Sequence, residues 1–574
     1  MENTVLQRPS RQFLSEDFRI ESWEDLQPHV NRLLESPVGT VRELRTWFKN
    51  RSELESVISE DFAWRYINMT RYTDNESYTK HYEYFVKNIQ PKMAAVSDQL
   101  NQKAVQSTAL AELEADEAYR IMIRSMRKDI EIFREENIPL FTEISLEQQK
   151  YNQLNGAMTV EVDTKELTLQ QASVYLMSAD RLKREEVYRK ISERRLRDKE
   201  VLDESFTKLI ALRHRVAVNA GFANFRDYMF KAMGRFDYTP QDCFNFHRSV
   251  QAAVVPMMNQ MMVERKEQLK LTALKPWDKA VDPKGREALK AFENGADLTA
   301  KTIECFQRID PYLGQCLSIM NTMGHLDLES RKGKAPGGYN YPLAEIGVPF
   351  IFMNATSTLR DMVTIMHEGG HAIHNFVTRD LELNDFKHTP SEVAELASMS
   401  MELISMDHWD VFFTNESDLI RAKREHLEDI LETLPWVATI DAFQHWLYEH
   451  PHHTHKERKE NWQRIFNQFT DKATDWSGEE VVREYLWQKQ LHLYEVPFYY
   501  IEYGMAQLGA IAVWKNYKES KQRGLKGYLD ALRLGYTRSI PEVYAAAGIR
   551  FDFSEMYIRE LMNFVQQELN ALAD

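Results

Sequence analysis

The stretch 366–376, MHEGGHAIHNF, decides how the chain around it folds. It holds three histidines, one glutamate and a pair of adjacent glycines, and glycine inside a helix costs about 1 kcal/mol relative to alanine. Apolar side chains nevertheless recur at helical spacing from Leu359 to Val377, and burial of such a stripe outweighs weak intrinsic propensity. We therefore predict a helix. Gly370 falls inside the stripe, where a missing side chain would let another backbone approach closely, but the pattern gives Gly369 no role.

The same stretch contains the pattern H-E-x-x-H, formed by His367, Glu368 and His371. Residues four apart lie on one face of a helix. Two imidazoles so placed can bind one Zn²⁺ ion, with the glutamate between them as general base. His374 lies about 10.5 Å from His367 along the helix axis at 1.5 Å per residue. We therefore expect His374 to pack or to support a ligand, and not to bind the metal itself.

A third protein ligand must come from another helix, because a catalytic zinc keeps three protein ligands and one open position. The next acidic segment with helical spacing is 389–406, TPSEVAELASMSMELISM. Its start indicates an N-cap at Thr389, a first helical residue at Pro390 and a capping-box glutamate at Glu392.

Glu395 and Glu402 lie two turns apart on one face of this predicted helix, beside Met399, Leu403 and Met406. A buried carboxylate is costly unless it is paired or coordinated. We therefore expect Glu395 to be the third ligand and Glu402 to hydrogen-bond a metal-bound histidine. The alternative is that both are ordinary charges on a helix surface.

Most of the remaining chain shows the three- and four-residue apolar spacing of helices. Two segments differ. Residues 156–169 alternate apolar and polar around Asp163–Thr164, which predicts a short β-hairpin, and the apolar run Val348–Met353 predicts a strand just before the H-E-x-x-H helix. The fold class is therefore mainly α with a small β-sheet near the candidate active-site helix.

Composition excludes several classes of partner. The chain has 574 residues and a net charge of -15, and an acidic surface repels phosphate backbones, so we expect no nucleic acid partner. No apolar run is as long as the roughly 18 residues of a membrane span, and the N-terminus does not resemble a signal peptide. Three cysteines without C-x-x-C spacing, Cys243, Cys305 and Cys316, favour buried inert thiols in a reducing compartment. We expect no membrane association and a cytoplasmic location.

The segment HEGGHAIH, followed from Glu392 by EVAELASMSME, resembles the thimet oligopeptidase / oligoendopeptidase F family of zinc metallopeptidases. RKGKAPGGY, PFIFMN, DAFQHWLYEHP and HLYEVPFYYIEYGMAQLGAIAVW are similar to the same family. The resemblance extends from about residue 150 to the C-terminus and is strongest to the Pz-peptidase-like branch.

This resemblance implies a mostly α-helical, two-lobed body with a deep central channel that has zinc on its floor and admits short, unfolded peptides. The predicted hairpin at 156–169 and the start of the resemblance near residue 150 divide the chain into an N-terminal helical region, 1–150, and a catalytic zinc-peptidase region, 151–574, and we expect the two lobes to interleave. The resemblance also implies one Zn²⁺ ion bound by His367, His371 and Glu395.

The family places a histidine and tyrosines in a C-terminal segment near the metal, which here implies His492, Tyr500 and Tyr503. Amide hydrolysis passes through an oxyanion, and hydrogen-bond donors aimed at it contribute most to catalysis. The register of the tyrosines is open by one position, because Tyr499 and Tyr500 are adjacent.

The hypothesis from sequence is a zinc-dependent endopeptidase that hydrolyses internal bonds of short unfolded oligopeptides, with Glu368 as general base on zinc-bound water. A substrate would pair with a strand edge within 335–354, where Gly337–Gly338 leave room for its backbone. The alternatives are a metallocarboxypeptidase that trims C-terminal residues and a non-catalytic helical peptide-binding protein. Cobalt or manganese could replace zinc, since selectivity in cells is not set by affinity alone.

Overall fold

Helices carry most of the chain in the computed structural model, which describes residues 5–335 and 337–572. The helices before the first strand are α1 (Trp23–Glu35), α2 (Val41–Arg71), α3 (Glu76–Tyr84), α4 (Gln90–Val105), α5 (Leu110–Leu113), α6 (Glu117–Ile132) and α7 (Ile138–Gly156). The next group is α8 (Leu169–Ser173), α9 (Arg181–Arg197), α10 (Lys199–Asn219), α11 (Phe225–Ala232), α12 (Pro240–Ala253), α13 (Val255–Gln268), α14 (Gly295–Ile309) and α15 (Pro311–Thr322).

The C-terminal part continues with α16 (Leu359–Thr378), α17 (Asn384–Lys387), α18 (Ser391–Ser405), α19 (Glu416–Glu449), α20 (His455–Phe469), α21 (Glu480–Glu484), α22 (Leu491–Glu495), α23 (Ile501–Glu519), α24 (Lys521–Arg533), α25 (Ile540–Ala546) and α26 (Glu555–Ala571). The mainly α fold predicted from sequence is confirmed. Within the two described ranges, none of the helices combines the length and apolar character needed to cross a membrane.

The predicted β-hairpin is confirmed as β1 (Thr159–Val162) paired antiparallel with β2 (Lys165–Thr168). Asp163 and Thr164 form its two-residue turn with φ of 50° and 63°. Both angles are positive, as the turn that matches the twist of two antiparallel strands requires.

A three-stranded sheet contains β3 (Leu326–Glu329), β4 (Tyr339–Tyr341) and β5 (Phe350–Ala355) in the order β3-β5-β4. β5 runs parallel to β3 and antiparallel to β4, which leaves β4 at an edge. The predicted strand Val348–Met353 exists but begins two residues later, directly after Pro349, which has no N–H to donate to a neighbouring strand.

The chain folds into two compact units, and each unit is built from segments that are separated in the sequence. Unit 1 holds Met1–Glu131, Lys290–Leu419 and Gly509–Phe551, and unit 2 holds Ile132–Leu289, Ile420–Leu508 and Asp552–Asp574. The division into 1–150 and 151–574 proposed from sequence differs from this grouping and stays a prediction, as does the central channel.

In unit 1, α16 and α18 pack directly on each other. α14 and α24 also pack on this pair, and β4 contacts α16. The first four residues of β5 are fully buried. The small sheet therefore supports the helix that carries the H-E-x-x-H pattern.

The predicted start of α18 is wrong in its details. Pro390 occupies the N-cap position with ψ of 151°, so the helix begins one residue later, at Ser391, and no side chain caps it. Thr389 therefore lies before the cap. Glu392 is buried within the helix, and the Tyr544 hydroxyl donates a hydrogen bond to its carbonyl oxygen over 3.1 Å.

Candidate active site

α16 begins with a capping box that fixes where the H-E-x-x-H residues lie. The Thr358 hydroxyl accepts from the Asp361 N–H over 3.2 Å, and the Asp361 carboxylate accepts from the Thr358 N–H over 3.0 Å. This reciprocal pair satisfies N–H groups that have no partner inside the helix. The predicted helix over MHEGGHAIHNF is confirmed, and the pattern begins on its third turn.

The glycine pair lets two neighbouring helices approach α16. A Cβ atom at Gly370 would lie 2.6 Å from both Ala397 O and Ser398 Cα of α18, so the expected close backbone approach is present. A Cβ atom at Gly369 would lie 2.4 Å from the Phe306 ring of α14. No role for Gly369 could be predicted from the sequence, because this contact involves a residue far away in the chain.

His367, His371 and Glu395 come together between α16 and α18. The Nε2 atoms of His367 and His371 lie 3.3 Å and 3.7 Å from Glu395 Oε2, and one potential ligand atom from each residue lies within 4.8 Å of the others. Four-coordinate zinc with bonds of about 2.0–2.1 Å separates its ligand atoms by about 3.3 Å. The three side chains therefore fit the ligand set of a single zinc ion.

Glu402 orients one of these histidines. His367 Nδ1 lies 2.6 Å from Glu402 Oε1, so the Nδ1–H donates to the carboxylate and Nε2 faces Glu395. A carboxylate on the second nitrogen of a metal-binding histidine fixes the tautomer and makes the ligand more basic. The expected pairing of Glu402 with a histidine of the pattern is thus present.

The cluster favours one positive charge. Burial alone would lower the pKa of His367, but the hydrogen bonds to Glu395 and Glu402 raise it well above its ordinary value. Burial lowers the pKa of His371 to about 4, since the attraction of Glu395 is opposed by the neighbouring His367. One protonated histidine here supplies the positive charge that a bound cation would supply.

Glu368 lies on α16 between the two histidines and is partly buried. Burial raises the pKa of its carboxyl to about 7, the charge of His367 opposes that rise, and Glu395 and Glu402 add to it. The Asn340 side-chain amide of β4 donates to the Glu368 carbonyl oxygen over 3.1 Å. This bond joins the edge strand to the helix, and no spacing rule in the sequence could have indicated it.

His374 lies outside the ligand cluster. Its side chain is buried, and burial lowers its pKa to about 3. Its carbonyl oxygen accepts from the Thr378 hydroxyl over 2.8 Å.

His492, Tyr500 and Tyr503, the expected oxyanion donors, lie in unit 2, where their rings form one group. The His492 ring centroid lies 4.7 Å from that of Tyr500 and 5.8 Å from that of Tyr503. The Tyr499 ring is stacked with the imidazole, with the two ring centroids 6.2 Å apart. Burial raises the pKa of Tyr500 to about 12, so the phenol keeps its proton near neutral pH.

Gln490 orients His492, and sequence reasoning missed it because nothing in the spacing marks it. The Gln490 amide donates to His492 Nδ1 over 2.7 Å, and Trp436 Nε1 donates to the Gln490 oxygen over 2.9 Å. An imidazole whose Nδ1 accepts a hydrogen bond carries its proton on Nε2. His492 therefore presents an N–H donor.

Buried polar groups hold the backbone before the tyrosines. Phe498 has φ of 69°, in the left-handed region that non-glycine residues rarely adopt. Its N–H donates to the Gln444 oxygen over 2.6 Å, its carbonyl accepts from the Arg235 guanidinium, and Arg235 pairs with Glu502 at 3.0 Å. The turn that precedes Tyr499 is thus fixed from both sides.

Comparison with curated proteins finds distant relatives over part of their length. The chromosomal oligoendopeptidase F of Lactococcus lactis subsp. cremoris is 23% identical over 248 residues, which are 43% of this chain and 41% of the relative. An oligoendopeptidase F homolog of Lactococcus lactis subsp. lactis is 21% identical over 319 residues, 55% of this chain and 52% of the relative. The chain thus spans about half the length of the curated relatives it matches.

A solved structure of Pz peptidase A with an inhibitor matches with a TM-score of 0.89 and 25% identity, covering 97% of this chain and 99% of that chain. A model of the peptidase M3 N-terminal domain matches residues 13–133. The model of peptidase family M3 matches residues 174–308 and 314–563, which include the candidate ligands and the His492 segment. These matches cover well over half of the sequence, and the chain belongs to peptidase family M3.

Proposed function

We propose that the protein is a zinc-dependent endopeptidase that hydrolyses internal peptide bonds of short, unfolded oligopeptides. The observation that carries this proposal is that His367, His371 and Glu395 each bring one ligand atom within 4.8 Å of the others, with Glu368 between the two histidines on α16. Family membership and the similarity to oligoendopeptidase F support the same activity.

His367, His371 and Glu395 would hold the metal, and Glu402 would keep the His367 ring in position. Two nitrogens and one oxygen are the donor set of catalytic zinc sites that leave a position open. When bound, zinc lowers the pKa of water and polarises a carbonyl group. The electrostatic preference of the cluster for one positive charge agrees with a cation at this place.

Glu368 is proposed to move the proton. Its Oε atoms would accept a proton from the attacking water and later deliver it to the nitrogen of the leaving amine. A general base works best when its pKa lies near the working pH, and burial raises the pKa of Glu368 to about 7.

His492, Tyr500 and Tyr503 are proposed to donate hydrogen bonds to the oxyanion. The tautomer set by Gln490 leaves an N–H on His492, and the high pKa of Tyr500 keeps an O–H available. Donors held in place before the charge develops contribute most to catalysis. The family resemblance of the segment that carries these residues supports this assignment.

The β4 edge is proposed as the place where an extended substrate pairs. β4 has β5 on one side only, and Asn340 ties it to the α16 backbone at Glu368. Gly337 has φ of 97° with nothing within 4 Å of its Cβ position. An extended peptide can add to such an edge through main-chain hydrogen bonds, which suits substrates of varied sequence.

We further propose a cytoplasmic location. The three cysteines are buried and form no disulfide bond, and burial raises the pKa of both Cys305 and Cys316 to about 12. A long chain without disulfide bonds is typical of a reducing compartment.

The test is cleavage of internally quenched peptides of 6 to about 15 residues that are blocked at both ends. We expect cleavage at internal bonds, loss of activity with a chelator and recovery with Zn²⁺. Matched peptides with a free C-terminus serve as the comparison. Trimming of single residues from the free peptides alone would indicate a metallocarboxypeptidase, and tight binding without cleavage would indicate a peptide-binding protein.

A further inference from the structure

Unit 2 contains a buried cluster of metal-ligand side chains that the proposed reaction does not use. Cys243, Asp441 and His445 each offer a ligand atom within 4.8 Å of the others, and their exposed fractions are 0%, 0% and 2%. His247 joins them through a contact with Asp441. We propose that these four residues bind a second metal ion, a structural Zn²⁺.

Two helices supply the four side chains in matching pairs. Cys243 and His247 lie four residues apart on α12, and Asp441 and His445 lie four residues apart on α19. Residues at this spacing lie on one helix face. The two pairs place Cys243, Asp441 and His445 within 4.8 Å of one another, and His247 reaches this group through Asp441. The patterns C-x-x-x-H and D-x-x-x-H are the sequence signal that could have indicated the site.

Both histidines approach the same carboxylate oxygen. His247 Nε2 lies 2.8 Å and His445 Nε2 lies 3.2 Å from Asp441 Oδ2. The second distance is close to the roughly 3.3 Å between ligand atoms in tetrahedral zinc sites. The contact of His247 with Asp441 is a hydrogen bond, and metal binding would release the proton of that bond.

The cluster leaves buried polar atoms without hydrogen bonds. Within the described residues, neither ring nitrogen of His445 makes a hydrogen bond of good geometry, and Asp441 Oδ1 has no hydrogen-bond partner. Buried polar groups without partners are rare in folded proteins, and an ion is one of the causes of such an observation. The ring centroids of Phe244 and Phe498 lie 4.7 Å and 5.4 Å from that of His445. Such apolar neighbours offer the buried polar nitrogens of His445 little stabilisation.

The donor atoms indicate the kind of metal and its role. One sulfur, two imidazole nitrogens and one carboxylate oxygen suit zinc, whereas Mg²⁺ and Ca²⁺ prefer oxygen ligands alone. Four protein ligands leave no open position for water, as in structural zinc sites.

The proposed site would stabilise the segment that carries His492 and the tyrosines. Gln444 lies between the two α19 ligands, and its oxygen accepts from the N–H of Phe498. The His445 ring also packs edge-on against the Phe498 ring. A metal that fixes this part of α19 would therefore hold the strained Phe498 backbone.

Metal content of the full-length protein tests the proposal without depending on activity. The triple variant His367→Ala, His371→Ala, Glu395→Ala removes the other candidate ligands. After loading with excess Zn²⁺ and gel filtration, we expect two zinc ions per wild-type chain and one per triple-variant chain. One zinc ion per wild-type chain together with none in the triple variant would overturn the proposal.

Cobalt substitution identifies the ligands. Cys243 is the only sulfur among the seven candidate ligands of the two sites, so Co²⁺ bound here gives a thiolate charge-transfer band in the near ultraviolet. We expect the band in wild type and in the triple variant, its loss in Cys243→Ala, and its persistence in the controls Cys305→Ala and Cys316→Ala. Zinc X-ray absorption of wild type supplies a readout that needs no variant. A sulfur shell at about 2.3 Å supports the site, and no sulfur shell rules it out.

Discussion

Two adjacent glycines in α16 serve different helices. Gly370 admits the α18 backbone that carries Glu395, and Gly369 admits the Phe306 ring of α14. The sequence allowed the first role to be predicted, because Gly370 falls within the apolar stripe. It could not give the second, because Gly369 contacts a residue that no local pattern connects to it.

Replacing Gly370 by alanine should separate α16 from α18. The new methyl group would lie 2.6 Å from backbone atoms, which cannot move aside as a flexible side chain can. We expect the free energy of unfolding to fall by about 1–3 kcal/mol and zinc binding to weaken. Urea denaturation and metal titration measure both quantities.

Gly156→Ala is the matched control, because nothing lies within 4 Å of its Cβ position at the end of α7. Its effect on stability should stay within about 1 kcal/mol in either direction. Equal stability of the Gly370→Ala and Gly156→Ala variants would contradict the close-packing role of Gly370.

Replacing Glu402 by glutamine should weaken metal binding without removing a ligand. The amide oxygen can still accept from His367 Nδ1, but the negative charge that makes the imidazole a stronger ligand is lost. Changes of this kind cost about 10–100-fold in metal affinity or activity. Competition with a chromophoric chelator measures the affinity. Glu304→Gln, at an exposed position of α14, is the control, and an affinity as high as in that control would contradict the role of Glu402.

The presence of individual helices and strands could be predicted from the sequence better than the residues at which they begin and end. The 389–406 segment forms α18 as expected, but the extended ψ of Pro390 moves the start and leaves Thr389 outside. β5 likewise begins after Pro349. In both cases the apolar spacing predicted the element, while the backbone of one proline determined the residue at which it begins.

Replacing the tyrosines of the His492 segment by phenylalanine one at a time tests which of them donate to the oxyanion. Tyr500→Phe and Tyr503→Phe should each lower kcat by about 10²–10³-fold, as expected for removal of an oxyanion donor, with little change in KM. Steady-state kinetics on a quenched peptide measures both constants.

Tyr499→Phe is the matched control, since Tyr499 packs on the same imidazole and should keep near-normal kcat. A large loss in Tyr499→Phe with none in Tyr500→Phe would move the assignment by one residue. Wild-type kcat in all three variants would remove the tyrosines from the mechanism.

At the scale of the whole molecule, the grouping of chain segments was the hardest feature to predict. Each unit is assembled from three separate stretches, and local periodicity carries no information about which distant stretches pack together. The grouping of His367, His371 and Glu395 could be predicted because their spacing follows helix geometry. Gln490 and Asn340 could not, because their contacts depend on how segments far apart in the chain meet.

Asp327 illustrates how distant parts of unit 1 are joined. Its carboxylate accepts from Arg71 of α2 over 2.8 Å and from Arg331 and Lys334 of the following loop over 2.5 Å and 2.9 Å. Although burial opposes it, these cations hold the pKa of Asp327 well below its ordinary value. The charged form is therefore favoured in the folded protein.

A depressed pKa makes this contribution to stability depend on pH. It is fully present above the unfolded pKa of about 3.9 and is lost as the pH falls further toward the folded value. We expect Asp327→Asn to lose about 3 kcal/mol at pH 7 and to show a shallower decline in stability below pH 4 than wild type. Denaturant unfolding across pH measures this. Asp163→Asn, at the exposed hairpin turn, is the control, and parallel acid profiles for wild type and Asp327→Asn would contradict the assignment.

We propose above all that Glu368 moves the proton at a metal centre formed by His367, His371 and Glu395. The most direct test is the Glu368→Gln variant, assayed for cleavage of a doubly blocked quenched peptide and for bound zinc in the same sample. We expect a fall in kcat of up to about 10⁴-fold, the upper range for general acid–base catalysis, with zinc content unchanged from wild type. Near-normal kcat in the zinc-loaded variant would contradict it.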